Sequence, residues 1–267
     1  NVIEASVQQM CRNQEHGGPD DGGTFVSETD HLVLGNRRLA LLDLSADGHM
    51  PMQYNNRYWI TYNGELYNFQ ELRAELILLN HRFKSTTDTE VILAAFAQWG
   101  TLSFSRLKGM FAFALWDSVE KEIYLVRDPS GIKPLYYHAS KGLLCFASEI
   151  RAFKNIPGLQ SANSNWPVYL MAYGFIPEPV TTLSTVSALP KGCYLKYSVQ
   201  SGDTSLQSFK HYSYANRLTD PHEVNHSIRK VVDDSVKRQL VADAPLGVFL
   251  SGGLDSGIMA SVASKYK

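Results

Sequence analysis

Met110-Phe-Ala-Phe-Ala-Leu-Trp116 is apolar at every position, so a strand built from it has no polar face to offer water. A strand that buries both faces must be covered on both sides. Further short apolar runs follow at Glu122 to Val126, Pro134 to Tyr137 and Leu143 to Ala147. Two helices precede them with clean start signals. Asn68 with Glu71 makes a capping-box pattern ahead of Leu72, Leu76 and Leu79. Thr87 with Glu90 repeats it ahead of Val91 and Phe96, and Gly100 marks the stop. A layered α+β sandwich, with helices outside two sheets, meets the demand for double coverage.

Upstream, residues 1–15 read as a helix with Ile3, Val7, Met10 and Cys11 on one face. His16 to Gly23 is a turn-rich loop, and from Leu32 to Leu44 two apolar runs flank Gly35-Asn-Arg-Arg38. Arg57 to Tyr62 reads as a strand entering a tight turn at Asn63-Gly64. After Tyr197 the texture becomes polar and aperiodic. The expected division is a first domain over 1–200, a linker over 201–220 and a second domain over 221–267.

The second domain begins with Asp220 as cap, Pro221 at the first helical position and Glu223 behind it. Val224, Ile228, Val231, Ser235 and Leu240 form its expected apolar face. Leu246-Gly-Val-Phe-Leu250 then reads as a buried strand, Ser251-Gly-Gly-Leu-Asp-Ser256 as a Gly-rich turn, and Gly257 to Lys265 as a helix. Strand, turn and helix start together make a phosphate cradle, because the turn and first-turn N–H groups point at the anion. The spacing is not G-x-x-x-x-G-K-[ST], and no lysine follows. One strand and two helices cannot cover both faces of a parallel sheet, so this domain is expected to be incomplete in the chain.

Composition excludes several classes. A net charge of −1 with 19% charged residues gives no broad basic surface for nucleic acid or anionic membrane. No apolar stretch reaches the length of a membrane span, and the first residues lack a signal-peptide layout. Cys11, Cys145 and Cys193 are odd in number and widely spaced, the pattern of reduced thiols in a cytoplasmic protein. The eight histidines never frame a glutamate at i, i+4, which removes the zinc-protease pattern.

The ordered motifs Gly18-Pro-Asp-Asp21, Arg37-Arg-Leu39 with Asp43-Leu-Ser45, and Tyr62-Asn-Gly-Glu-Leu-Tyr-Asn68 resemble those of the glutamine-hydrolysing asparagine synthetase family. Ser85-Thr-Thr-Asp-Thr-Glu-Val91, Gly109-Met-Phe-Ala-Phe-Ala114, Arg127-Asp128 through Gly131-Ile-Lys-Pro-Leu-Tyr-Tyr137, Phe146-Ala-Ser-Glu149 and the loop at Ser251 continue the series. The resemblance covers essentially the whole chain. It implies a four-layer αββα N-terminal-nucleophile sandwich, the class II glutamine amidotransferase domain. The start of an α/β, Rossmann-like ATP-pyrophosphatase domain follows it.

The implied activity has two parts. A glutaminase releases ammonia from glutamine, and a synthetase uses ATP and Mg2+ to make an acyl-adenylate that the ammonia attacks. By resemblance, the Asn63 amide and the Gly64 N–H form the oxyanion hole. Arg38 takes the glutamine carboxylate, Glu65 and Asp88 lie near its ammonium, and Leu41 and Leu42 complete the pocket. Phe249 and Leu250 face the adenine, Ser251, Gly252, Gly253 and Ser256 hold the pyrophosphate portion, and Asp255 is the magnesium ligand. Asp88 also reads as a charge at the positive end of a helix dipole, and Asp255 as a helix cap. The acceptor is aspartate in the type enzyme. Relatives amidate other carboxylates on sugars, cell-surface polysaccharides or β-lactam precursors, and homodimers are common.

Two features depart from the family. Its nucleophile is a cysteine at the mature amino terminus, whose own α-amine is the base. The sequence here starts at Asn1, and Cys11, inside a helix, reads as a packing residue. The chain alone is therefore expected not to hydrolyse glutamine, and lacking the rest of the acceptor and AMP sites it is expected not to make asparagine. A non-catalytic scaffold is the alternative if the gene lacks the leading cysteine. Gly17 also stands where the family commonly has arginine, which questions how the Gly18-Pro-Asp-Asp21 loop is anchored.

Overall fold

Double coverage of the apolar strand is what the chain achieves. The computed structural model describes residues 2–43, 45–210, 213–214 and 217–267, so Leu44 of the Asp43-Leu-Ser45 motif lies outside the described residues. Two units separate, one of Asn1–Ala40 with Ser45–Lys210, the other of Leu41–Leu44 with His211–Lys267.

The first unit runs α1 (Val2–Asn13), β1 (Asp21–Ser27), β2 (Leu32–Arg38), β3 (Met52–Tyr54), β4 (Tyr58–Leu66), α2 (Phe69–Leu78) and α3 (Asp88–Trp99). It continues through β5 (Gly109–Asp117), β6 (Glu122–Arg127), β7 (Tyr136–Ser140), β8 (Leu143–Ala147), α4 (Trp166–Tyr173), β9 (Ser187–Ala188), β10 (Cys193–Ser198) and β11 (Thr204–Ser208). An antiparallel sheet has the order β11-β10-β6-β5-β4-β3, with β1-β2 and β8-β7-β9 as smaller sheets.

Alternation along β5 sorts its side chains. Ala112, Ala114 and Trp116 join Leu32 and Leu34 of β2 in one core cluster, with Tyr137, Ala139, Leu144 and Phe146 of β7 and β8 packed against it. On the opposite face Phe113 meets Tyr62 and Phe104 edge-on, and Phe96 of α3 packs on Tyr58, Phe104 and Tyr124. Helix α1 lies outside the smaller sheets, where Met10 packs with Tyr136, Cys145 and Ala147. Four layers result: helix, small sheets, large sheet, helices.

Several local expectations are corrected. Asn63-Gly64 is not a turn, because β4 continues through it to Leu66 and pairs Gly64 with Phe111. A Cβ at Gly64 would stand 2.2 Å from the Met110 carbonyl oxygen, so glycine is there for close backbone approach. The tight turn comes earlier, at Asn55 and Asn56, with φ of 53° and 54° and Arg57 N–H donating to the Tyr54 carbonyl at 3.2 Å. Paired positive φ is the type I′ pattern that hairpins favour. Asn68 starts α2 but does not cap it with its side chain. That side chain donates to the Arg106 carbonyl at 3.1 Å and accepts from Lys108 N at 2.9 Å. Thr87 does cap α3, accepting from Glu90 N, while Glu90 itself accepts from Lys84 N and Ser85 N. Residues 204–208, inside the expected linker, form β11, because their backbone pairs with β10 despite polar side chains.

The second unit contains α5 (Pro221–Gln239) and α6 (Leu254–Ala263). Asp220 caps α5 by accepting from His222 N at 3.2 Å. Asp233 holds the end of the chain through Lys265 Nζ at 3.2 Å and the Tyr266 hydroxyl. Val236 is the buried residue of α5, while Ile228 and Val231 of the expected apolar face are exposed. The expected buried strand at 246–250 is absent: Leu246, Val248, Phe249 and Leu250 are exposed and unladdered. A segment with no strand paired to it leaves its N–H and C=O groups to water. Helix α6 starts three residues before the expected Gly257, with Gly253 as its cap. No helix among the described residues is long and apolar enough to cross a membrane.

An ion pair with a buried carboxylate and a partly exposed arginine closes the hairpin side of the large sheet. Arg57 Nε and Nη2 donate to Asp117 at 2.8 and 2.7 Å, and Val119 N and Glu120 N donate to the same carboxylate. Burial by itself raises the Asp117 pKa, but these donors outweigh it and hold the carboxyl below its ordinary value. Its stabilisation is therefore full above the unfolded pKa of about 4 and lost as pH falls through the lower folded value. Asp117→Asn should cost roughly 1–3 kcal/mol near neutrality. Denaturant unfolding across pH should show the gap from the parent closing in acid; a gap that widens in acid would refute this.

Candidate functional site

Beyond Tyr62 the apolar alternation of β4 gives way to Asn63, Gly64 and Glu65, all partly buried. Asp88, the first residue of α3, is 4% exposed beneath them. Its Oδ2 accepts from the Tyr62 hydroxyl at 2.9 Å and from Leu66 N at 2.8 Å, while Thr89 Oγ1 lies 3.5 Å from Oδ1. Burial pushes the Asp88 pKa up, against the pull of those donors. Tyr62 is pushed well up by burial and by the nearby Asp88 and Glu65 charges, so it stays a donor. Asn63 Nδ2 donates to Ser148 Oγ at 3.3 Å, a long bond that leaves the amide available to a stronger acceptor.

Arg38, at the end of β2, is buried and donates through Nη1 to the Ser45 carbonyl at 3.2 Å. Its backbone is gripped by the Gly18-Pro-Asp-Asp21 loop. Asp20 N donates to the Arg38 carbonyl at 3.0 Å, and Asp20 Oδ2 accepts from Ala40 N at 2.9 Å. Arg37 anchors that loop from the other side, donating to the Gly18 carbonyl at 2.9 Å and pairing with Glu15 at 3.3 Å. The loop thus holds without an arginine at position 17. Asn36 ties β2 to β4, donating to Thr61 Oγ1 at 2.9 Å and to the Tyr62 carbonyl at 3.4 Å.

Asn63, Gly64, Glu65 and Asp88 therefore share one neighbourhood, to which the strand carrying Arg38 is bonded. Leu41 and Leu42 group with the second unit. There Asp243 N donates to the Leu41 carbonyl at 3.1 Å and Asp243 Oδ2 accepts from Asp43 N at 2.8 Å. Sequence reasoning missed Asn36, Tyr62 and Ser148 as partners of the site. The break in apolar alternation after Leu34 and the Phe146-Ala-Ser-Glu149 motif were the available signals. The Arg127-Asp128 motif is structural: fully buried Asp128 accepts from Phe111, Ser130, Ile132 and Lys133 N–H groups. Burial pushes up the thiols of Cys11 and Cys145, the latter to about 12, so neither offers a ready thiolate.

In the second unit the Gly-rich turn is held by its two serines. Ser251 Oγ and Ser256 Oγ lie 3.0 Å apart, Ser256 Oγ donates to the Gly253 carbonyl at 3.1 Å, and Ser251 N donates to Ser256 Oγ at 3.2 Å. Gly252 adopts φ of 80°, a conformation that glycine takes without a Cβ penalty. The first-turn N–H groups of α6 have no intrahelical acceptor and point out of the helix start. Asp255 sits exposed in that turn, as do Phe249 and Leu250 before it. Among the described residues no group of three or more His, Cys, Asp or Glu side chains is disposed to hold a metal.

Two stacked sheets between helices, with an Asn-Gly-Glu strand over a buried aspartate, define a class II glutamine amidotransferase fold. A family of glutamine amidotransferase domains matches residues 2–212, and the chain belongs to that family. A second family, asparagine synthase, matches residues 227–267. Glutamine-hydrolyzing asparagine synthetase 1 of Bacillus subtilis (strain 168) is 34% identical over 265 residues, covering 98% of this chain and 41% of that protein. Glutamine-hydrolyzing asparagine synthetase B of Escherichia coli (strain K12) is 34% identical over 272 residues, covering 99% and 42%. The chain thus spans less than half the length of these relatives. A glutamine phosphoribosylpyrophosphate amidotransferase from B. subtilis, solved with ADP and GMP, shares the fold at a TM-score of 0.57 and 16% identity, covering 98% of this chain and 61% of that one.

Tyr62→Phe tests the electrostatics beneath the site. Removing one donor from a buried carboxylate should cost about 1–3 kcal/mol. Loss of the donor raises the Asp88 pKa further, so the penalty should be largest at high pH, where Asp88 is charged, and shrink on acidification. Unfolding midpoints measured across pH would show this, and a penalty that grew in acid would exclude it.

Proposed function

We propose that this chain is the glutaminase part and the opening of the ATP-using part of a glutamine-dependent amide ligase of asparagine synthetase type. The observation that carries it is the Asn63-Gly64-Glu65 stretch set over buried Asp88, with Arg38 on the adjoining strand. Glutamine is a zwitterion with an amide at its far end. Arg38 supplies the cation for its carboxylate, and Glu65 with Asp88 supplies the negative field for its ammonium. Asn63 Nδ2 can exchange its 3.3 Å bond to Ser148 for a stronger one to the oxyanion, with the Gly64 N–H as second donor. The nucleophile implied by the resemblance is an amino-terminal cysteine, a role for which the raised thiols of Cys11 and Cys145 are unsuited.

The Gly-rich turn suits the phosphates of ATP. Ser251 and Ser256 brace each other, Gly252 and Gly253 leave the backbone bare, and first-turn N–H groups of α6 face outward. Asp255 would contribute one carboxylate oxygen to Mg2+, with phosphate and water oxygens completing the shell. ATP supplies an adenylate leaving group on the acceptor carboxylate, which is aspartate in this proposal. Unpaired, widely spaced cysteines fit a cytoplasmic setting.

Two substitutions in the intact protein separate the half-sites. Asp88→Ala should lower glutamine-driven product formation by about 10–100-fold, the worth of a charge-assisted contact, while leaving ammonia-driven formation within about twofold. Asp255→Ala should abolish both. Equal loss of both activities in Asp88→Ala would remove that residue from the glutamine site, and wild-type ammonia-driven activity in Asp255→Ala would remove the magnesium assignment.

A further inference from the structure

Two glycines let one short segment close over Arg38. After β2 the chain makes a single 3₁₀ turn at Ala46–Gly48, opened by Ser45, whose Oγ accepts from Asp47 N at 3.1 Å. The Ser45 carbonyl accepts from Gly48 N at 3.4 Å and from Arg38 Nη1 at 3.2 Å. Gly48 is buried against the same guanidinium. A Cβ there would stand 2.5 Å from Arg38 Cζ and closer still to Nη2. The φ of Gly48 is not positive, so glycine serves for space and not for backbone freedom.

The turn is pinned to β1. Asp21 lies opposite Arg38 in the β1-β2 register. Its Oδ2 meets His49 Nδ1 at 2.8 Å, and its Oδ1 accepts from Gly22 N at 2.7 Å. Burial raises the Asp21 pKa, but the His49 and Gly22 hydrogen bonds and the Arg38 charge outweigh it and hold the carboxyl below its ordinary value. A carboxylate only accepts, so His49 Nδ1 carries the proton. The His49 ring lies on Gly23, where a Cβ would stand 2.5 Å from Nε2. Ser45, Ala46, Asp47 and His49 are exposed, so the turn gives no apolar side chain to the core.

We propose that Gly48 is a positioning residue of the glutamine site: its bare backbone seats the Arg38 guanidinium, and the bond between Asp21 and His49 holds that seat in place. The proposal rests on the assignment of the glutamine carboxylate to Arg38. Arginine grips a carboxylate best through two parallel N–H bonds, which requires its planar fork to be held at one angle. A methyl at position 48 collides with the far end of a flexible side chain and not with backbone. The guanidinium therefore moves and the fold stays.

The test uses the intact protein with glutamine or ammonia as nitrogen source, together with thermal unfolding. Arg38→Ala should raise the KM for glutamine at least about tenfold, the worth of a charge-assisted contact. Gly48→Ala should raise it about fivefold, because the guanidinium is displaced but not removed. Ammonia-driven turnover and the unfolding midpoint should stay nearly unchanged. Added to Arg38→Ala, Gly48→Ala should raise the KM no further, since no guanidinium remains to displace. His49→Ala, which frees the turn from β1, should raise the same KM by a smaller factor, and His49→Asn, which keeps a donor for Asp21, should restore most of it. A purely structural Gly48 predicts a lowered midpoint with an unchanged KM, or an equal KM penalty with and without Arg38. Either result overturns the proposal. Should Gly48→Ala not fold, an unchanged glutamine KM in His49→Ala overturns it equally. An unchanged KM in Arg38→Ala would instead sink the assignment of the carboxylate to Arg38.

Discussion

Strand β5 has no face that water can cover, and the first unit is arranged around that constraint. Phe111, Phe113 and Leu115 need one apolar layer and Ala112, Ala114 and Trp116 need another, so neither a single sheet nor a sheet backed on one side suffices. Aromatic rings on α3 and the following turn supply the first layer. The β1-β2 hairpin and the β7-β8 pair supply the second. Ala112, Ala114 and Trp116 are all buried in that second contact, two small side chains and one large one filling it together.

The candidate site forms where this apolar constraint lapses. Along β2 the inward side chains pass from Leu32 and Leu34 to Asn36 and Arg38, and β4 passes from Ile60 to Asn63, Gly64 and Glu65. Polar groups at that depth are tolerable only with partners. Asp88 has the Tyr62 hydroxyl and the Leu66 N–H, and Arg38 has the Ser45 carbonyl. Such pairing fixes the side chains of Asp88 and Arg38 in advance of any ligand, so their ordering is not a cost that binding has to meet.

The Gly-rich turn of the second unit is ordered by other means. It has little apolar burial around it, and Phe249 and Leu250 just before it are exposed. Its shape comes from short-range bonds between Ser251, Gly253 and Ser256 and from the helix that follows. Local hydrogen bonding can define a backbone cradle that tertiary packing does not enclose.

Much of this was legible in the residues themselves. Periodicity and capping signals marked α1, α3 and α5, and the doubly apolar run at 110–116 demanded a sandwich, because burial of alternating side chains follows from strand geometry alone. The ordered motifs pointed to Arg38, Asn63, Gly64, Glu65 and Asp88. What tertiary structure decided were choices among partners of similar local merit. Asn68 left its own helix for Arg106 and Lys108, Gly64 served a neighbouring strand and not a turn, and a polar stretch became β11 because β10 offered its edge. The fixed amide of Asn36 depends on a threonine 25 residues away. Contacts at that separation are set by which surfaces meet after collapse, and no local pattern encodes them.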